Sequence, residues 1–250
     1  MIGNWDIQPI KMEQMIDRKK IVLICARSGS KGIKDKNIQK IGKFNLLEST
    51  INQAKKIPNI KSIYVSTDSN KYKSIAENSG TIVPFLRSKL LSKDNTPEWK
   101  VWQNFINKMG FKDEQIIIVL PTTSPNRKLS DVNKGLRLFK KNNHDIVIAV
   151  TESGKNPYYN MLEKKGNILQ LSKKSKKIFF RRQAVPKVYD MTTFFYILKC
   201  GFIRKKKSIH EGKIGSIVIP KIRATDIDTY IDLEFARLIK KKNLSNYWMK

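Results

Sequence analysis

Cysteine is nearly absent from this 250-residue chain: Cys25 and Cys200 are the only two, far apart and without CxxC spacing. That excludes a disulfide scaffold and argues against a zinc site. Histidine is equally scarce. His144 follows Asn142-Asn143 in a loop, His210 lies in a basic loop, and neither has a nucleophile beside it, so a Ser-His-Asp triad has no support. Long apolar runs are missing too. The best candidates, Ile116–Leu120 and Phe194–Leu198, are of strand length and stop at Pro121 and Lys199, far short of the roughly 20 residues that span a bilayer. Met1–Lys20 carries Asp6, Glu13 and Asp17 and no continuous apolar core, so it reads as a polar extension rather than a secretory signal. A cytoplasmic globular protein is expected, with no membrane partner. Acidic residues are the last shortage: 21 Asp and Glu face 50 Lys and Arg, a formal charge of +29. Such a field attracts polyanions. The lysines are scattered over expected helix faces and loops, with short clusters at Lys173–Lys177, Lys205–Lys207 and Lys240–Lys242 and no interleaved aromatics. That distribution lacks the stacking platform of a single-strand binder and fits a basic pocket for a phosphorylated substrate.

What is present is a rhythm. Ile21–Ala26 reads as a buried strand and Arg27–Asn37 as a glycine-containing cationic loop. Leu46, Leu47, Ile51 and Ala54 then recur at helical spacing. Ser62–Ser66 is a second strand, and Thr67-Asp68-Ser69 can start a helix reaching Asn78. Gly80 ends that helix, and Thr81–Phe85 is expected as a third strand. Helices over Glu98–Met109 and Asp131–Lys140 flank a strand at Gln115–Leu120, and Asp145–Val150 is a fifth strand. From Ser153 to Lys187 the pattern breaks into a polar, lysine-rich stretch suited to an inserted arm or a subunit interface. Strands resume at Thr193–Leu198 and Ser216–Ile219 before a last helix over Thr229–Lys241. Short Ile- and Val-rich strands alternating with helices predict a doubly wound α/β fold, its mostly parallel sheet covered on both faces.

Ligands of such sheets sit beyond the carboxyl ends of the strands. The first strand end carries Arg27-Ser28-Gly29-Ser30-Lys31-Gly32, two glycines, two hydroxyls and two cations in six residues, with Lys34 and Lys36 following. Backbone N–H groups freed by glycine can form an anion nest, so a triphosphate fits; a solvated glycine turn is the plainer reading. Near the other end, Asp226 and Asp228 project to the same side if the chain is extended and could share one Mg2+; equally, Asp228 or Thr229 could cap the last helix. Thr67-Asp68 and the hydroxyl-rich loop Pro121-Thr122-Thr123-Ser124-Pro125 are weaker candidates. Arg182-Gln183, near Pro186, could clamp a carboxylate.

In these residues the chain resembles the acylneuraminate cytidylyltransferases. Their P-A-R-x-x-S-K-G-[IL]-x-x-K-N opening appears as Cys25–Asn37, departing only at Cys25. Val65-Ser66-Thr67-Asp68 matches V-S-T-D. Arg87 and Asp94 match the arginine and aspartate of R-P-x-x-L-x-x-D, Thr122–Arg127 matches P-T-S-P-x-R, and Ile227–Leu233 matches the I-D-[IT]-x-x-D-[LF] ending. The resemblance runs in order from about Ile21 to Leu238. It implies a Rossmann-like nucleotide-diphosphosugar transferase fold as a single domain over 21–250, and a homodimer with residues 153–187 as the dimerisation arm. It also implies Mg2+-dependent transfer of a cytidylyl group from CTP to a nonulosonic acid, releasing pyrophosphate. Nucleotide contacts would come from Arg27, Ser28, Gly29, Ser30, Lys31, Gly32, Lys36, Asn37 and Arg87, and sugar contacts from Thr122, Thr123, Arg182, Gln183 and Tyr196. Lys31, Asp226 and Asp228 would carry catalysis, the two aspartates as metal ligands. Departures gather on the sugar side: Pro121 replaces an amide, and Asp190-Met191-Thr192-Thr193-Phe194 replaces R-P-N-G-A. They point to a legionaminate, a pseudaminate or an amino-substituted octulosonate. A 3-deoxy-manno-octulosonate-type cytidylyltransferase is the nearest rival, and a basic nucleic-acid-binding protein without activity is the rival from another class.

Overall fold

The computed structural model describes residues 20–244. Its first strand, β1 (Lys20–Cys25), begins one residue earlier than the periodicity predicts, so Lys20 belongs to the sheet and not to the extension. The remainder of the extension lies outside the described residues. After β1 come the short pair β2 (Lys40–Ile41) and β3 (Phe44–Asn45), helix α1 (Leu46–Ala54) and strand β4 (Ile60–Ser66). Next are α2 (Asn70–Asn78), α3 (Glu98–Lys108), β5 (Ile116–Val119), α4 (Leu129–Lys141) and β6 (Ile146–Glu152). A small hairpin, β7 (Leu162–Lys165) and β8 (Ile168–Leu171), precedes β9 (Tyr189–Lys199), α5 (Cys200–Lys205), β10 (Ile214–Val218) and α6 (Tyr230–Lys241).

Six strands form the central sheet in the order β10-β6-β9-β5-β1-β4. β1 runs parallel to β4 and β5, and β10 parallel to β6, while β9 is antiparallel to both of its neighbours. Alternation along β1 divides the core. Val22 and Ile24 pack with Leu47, Ile51 and Tyr72 on one face; Ile21 and Leu23 pack with Trp99, Trp102 and Phe105 on the other. The layered α/β architecture read from the sequence is therefore correct.

Two local expectations differ. Thr81–Phe85 is not a strand: Ile82 makes one isolated bridge to Tyr64. Pro84 has no N–H to extend a ladder, and the chain peels away toward Arg87, whose N–H bonds the Thr67 carbonyl at 2.7 Å. The Ser153–Lys187 stretch is not wholly irregular either, because β7 and β8 pair antiparallel within it. This segment exposes apolar side chains, Ile178 at 80% and Phe180 at 82%.

A third, smaller apolar cluster positions the site. Ile33 from the loop after β1 and Ile41 from β2 meet Leu46, Ile227, Leu233 and Ala236. It draws the segment before α6 onto the glycine loop that follows β1.

Candidate active site

The loop after β1 is held from three directions. Asp68, just past β4, accepts from the Ser28 N–H at 2.9 Å and the Ser28 hydroxyl at 3.1 Å. Asp35 takes the left-handed conformation (φ 52°), which aspartate tolerates, and its carboxylate is fixed by Tyr72 Oη at 3.1 Å and Lys71 Nζ at 3.0 Å. Lys71 foremost, with Tyr72, holds the Asp35 pKa low. A 3₁₀ turn at Lys36–Ile38 then buries Asn37, which donates to the Arg27 carbonyl at 2.8 Å and accepts from the Thr122 hydroxyl. The loop is thereby braced against strands β1, β4 and β5 at their carboxyl ends.

Cations of this loop gather around two acids. Arg27 and Lys31 both pair with Asp94, at 2.5 and 2.9 Å, and they keep its carboxyl below the ordinary range, Lys31 most strongly. Lys36 pairs with Asp228 at 3.0 Å across 192 residues of sequence. Gly32 makes the same approach by backbone: a Cβ there would lie 2.4 Å from the Asp228 carbonyl oxygen. Gly32→Ala must therefore push the loop off the carboxylate segment, and turnover is expected to fall by about tenfold, read as kcat/KM for nucleotide.

The capping question at α6 is settled by Thr229. Its hydroxyl accepts from the Asp232 N–H, and Asp232 returns bonds to Thr229, completing a capping box. Asp228 is left with its carboxylate turned to Lys36 and largely exposed. Asp226 is the inner member of the pair. Its Oδ1 is buried with no hydrogen-bond partner, and burial, then the Asp228 charge, raise its pKa against the pull of the Thr123 and Thr193 hydroxyls. The Ile227 N–H bonds the Thr123 carbonyl at 3.0 Å and ties this segment to the loop after β5.

A cavity of about 240 Å³ opens between the glycine loop and the loop after β5, and neither Asp226 nor Asp228 is among the residues that line it. Arg27, Ser30, Lys36 and Asn37 line it from the first loop, Thr122 and Thr123 from the loop after β5, and Arg87 from beyond α2. Cys25 and Glu98 also reach it. Lys31 stands at its mouth on Asp94, its side chain 83% exposed. Burial pushes the Cys25 thiol up to about 12, which leaves it protonated and inert at neutral pH. Glu98 opens α3 as an exposed residue that faces the cavity, whose walls partly desolvate its carboxyl and raise it above the ordinary value. Sequence reading passed over Glu98; its only signal was a carboxylate directly after Pro97 at a helix start.

Three expected sugar contacts are not in this cavity. Arg182 and Gln183 line a separate hollow of about 420 Å³ with Glu152, Asn156 and Pro186. There Arg182 donates to the Ser153 carbonyl at 3.3 Å. Tyr196 points into the core, its ring 5.1 Å from that of Trp102, with burial and the charges of Glu98 and Asp226 raising its pKa. A strand with both faces covered hides which side chain reaches solvent.

A buried guanidinium completes the frame. Arg127 donates to the Phe194 and Pro121 carbonyls at 2.5 and 2.7 Å and to Gln53 Oε1 at 2.6 Å. Burial lowers its pKa to about 9, so it stays charged at neutral pH and pins the loop after β5.

Among the described residues no helix is long and apolar enough to cross a membrane. A cytidylyltransferase family model matches residues 21–246. The CMP-N,N'-diacetyllegionaminic acid synthase of Campylobacter jejuni is 34% identical over 226 residues, covering 89% of this chain and 95% of that protein. An N-acylneuraminate cytidylyltransferase of Streptococcus agalactiae is 28% identical, covering 86% of this chain and 51% of that protein. Among solved structures, a CMP:2-keto-3-deoxy-manno-octonic acid synthetase complexed with CTP superposes with a TM-score of 0.67 at 13% identity, covering 90% of this chain and 99% of that one; this shows a shared Rossmann-like nucleotidyltransferase fold. A match running from the first sheet strand through the last helix leaves one conclusion: the chain belongs to the cytidylyltransferase family and is a nucleotidyltransferase.

Proposed function

We propose that the chain transfers the cytidylyl group of CTP to the anomeric hydroxyl of a nonulosonic acid, releasing pyrophosphate. The observation that carries this reading is the Lys36–Asp228 pair at 3.0 Å. It joins the phosphate-binding loop to the twin carboxylates, and the triphosphate would lie along that junction. Relatives named for diacetyllegionaminic, pseudaminic and N-acylneuraminic acids support the substrate class. The higher identity to the first favours a legionaminate-like acid.

In this reading Arg27, Lys31, Lys36 and the loop N–H groups neutralise the triphosphate and orient the α-phosphorus for in-line attack. Asp94 gives up Arg27 and Lys31 to the incoming phosphates. The attacking hydroxyl oxygen forms the new P–O bond, and the bond to pyrophosphate breaks. Asp226 and Asp228 are the groups placed to take the hydroxyl's proton.

Mg2+ is the cofactor these residues suit. Asp226 Oδ1 is a buried oxygen without a partner, and a pair of carboxylates with phosphate oxygens is the hard donor set that ion prefers. When bound, it supplies charge neutralisation at the α-phosphate and lowers the pKa of the attacking hydroxyl. Arg182 and Gln183 belong to the 153–187 arm with its exposed hairpin, and that arm suits contact with a second copy in a homodimer.

The test is pyrophosphate release by purified protein with CTP, Mg2+ and a panel of acids. Turnover is expected with a legionaminate-type acid; turnover with 3-deoxy-manno-octulosonate alone, or salt-sensitive duplex binding without turnover, would replace the reading.

A further inference from the structure

A second cavity, of about 330 Å³, opens between α1, α4 and the end of α6. The loop after β5 gives Thr122 and Thr123 to the candidate active site and Arg127 to this hollow, and no residue lines both. Three cations line it: Lys56 just past α1, Arg127 from the loop and Lys240 on α6. None of them meets a carboxylate among the described residues. Arg127, 7% exposed, donates only to neutral acceptors, the Phe194 and Pro121 carbonyls and Gln53 Oε1. Those three bonds leave two of the five N–H groups of its guanidinium without an acceptor. Burial lowers the pKa of Arg127 and of Lys240, and no carboxylate charge offsets it. The acids on the surrounding helices are engaged elsewhere. Glu48 of α1 accepts from the Asn45 N–H, and Asp131 of α4 pairs with Arg223. On α6, Asp232 closes the capping box and Glu234 pairs with Arg237. A buried cation facing a cavity without an anion is costly. Ile57, Leu120 and Val132, all buried, add an apolar wall, and the volume suits a small molecule.

We propose that this cavity is a second binding site, for a small organic anion whose acidic group meets Arg127, Lys56 and Lys240 while its apolar body lies against Ile57, Leu120 and Val132. The site is separate from the reaction centre and goes beyond the CTP reading. Carboxylates and phosphate monoesters share the chemistry it takes, because a guanidinium and two ammonium groups pair with either. A bare inorganic anion would leave the apolar wall unused, and a neutral guest would leave the cations unmatched. Arg127 also holds the carbonyl of Pro121, a residue that lines the active-site cavity. The bound anion would therefore touch the side chain that pins the loop between the two cavities.

Isothermal titration of the full chain with phenyl phosphate, phenylacetate, inorganic phosphate and uncharged benzyl alcohol tests the site, with Lys56→Gln/Lys240→Gln as the comparison. Both lysines are exposed and neither lines the active-site cavity, so anion binding there is common to the two proteins and their difference reports this hollow. The double variant should bind the organic anions about tenfold or more weakly than wild type. A loss confined to phenyl phosphate or to phenylacetate identifies the acidic group that the site takes. Wild type should bind inorganic phosphate about tenfold more weakly than phenyl phosphate, and benzyl alcohol without saturation. Equal affinity of the two proteins for both organic anions overturns the assignment. So does the lack of saturable binding of either to wild type, or inorganic phosphate or benzyl alcohol binding as tightly as they do.

Discussion

Asp226→Asn and Asp228→Asn are each expected to lower kcat for Mg2+-dependent pyrophosphate release from CTP by about 10²-fold or more. The comparison is with enzymes that lose one transition-state charge stabiliser. For Asp226 a second readout separates chemistry from folding. Burial raises its carboxyl pKa above the unfolded value, so its ionised form opposes folding. The variant should therefore be as stable as wild type, or more so, at neutral pH. That difference should vanish as the pH falls below the ordinary carboxylate range, where Asp226 is protonated in both states. Activity lost together with stability at neutral pH would mark Asp226 as structural. Unaltered Mg2+-dependent turnover in Asp228→Asn would remove it from the metal pair.

Asp131→Ala is expected to cost about 3–5 kcal/mol of folding free energy, a drop of roughly 6–20 °C in Tm. Asp131 lies in α4 and meets Arg223, in the turn before the carboxylate segment, through bonds of 2.9 and 3.1 Å. Both side chains are 4% exposed. Taking away the acid removes the Asp131 carboxylate that faces this buried cation. Replacing both by Leu and Met should be far less damaging, since neither charge is then desolvated. Urea or thermal denaturation of the two variants decides it; equal losses would mean that packing, not charge, dominates at this contact.

Legibility in the sequence followed physical range. β1 and the helical spacing of Leu47, Ile51 and Ala54 are local patterns, and they appear where periodicity puts them. The direction of β9 is not local. An Ile- and Phe-rich strand buried on both faces reads alike whether it runs parallel or antiparallel, so its reversed pairing with β5 and β6 had no signature. The glycine loop was legible because glycines, hydroxyls and cations crowd into six residues. What that loop touches was not, because Asp68 and Asp94 find Ser28, Arg27 and Lys31 only after the chain folds. Asp228 could equally have capped α6 until Thr229 and Asp232 were seen to close the box between themselves. Arg182 and Gln183 failed to reach the cavity for a related reason: proximity to Pro186 says nothing about which hollow an inserted arm overhangs.

The small cluster of Ile33, Ile41, Leu46, Ile227, Leu233 and Ala236 carries a consequence for biogenesis. A ribosome releases Ile33 long before Leu233, so the glycine loop can gain this backing only after α6 has been made. Only when the closing helix seats does the loop acquire that apolar support, and Lys36 its carboxylate partner. Any lesion that unseats α6 should therefore also strip the glycine loop of its apolar backing.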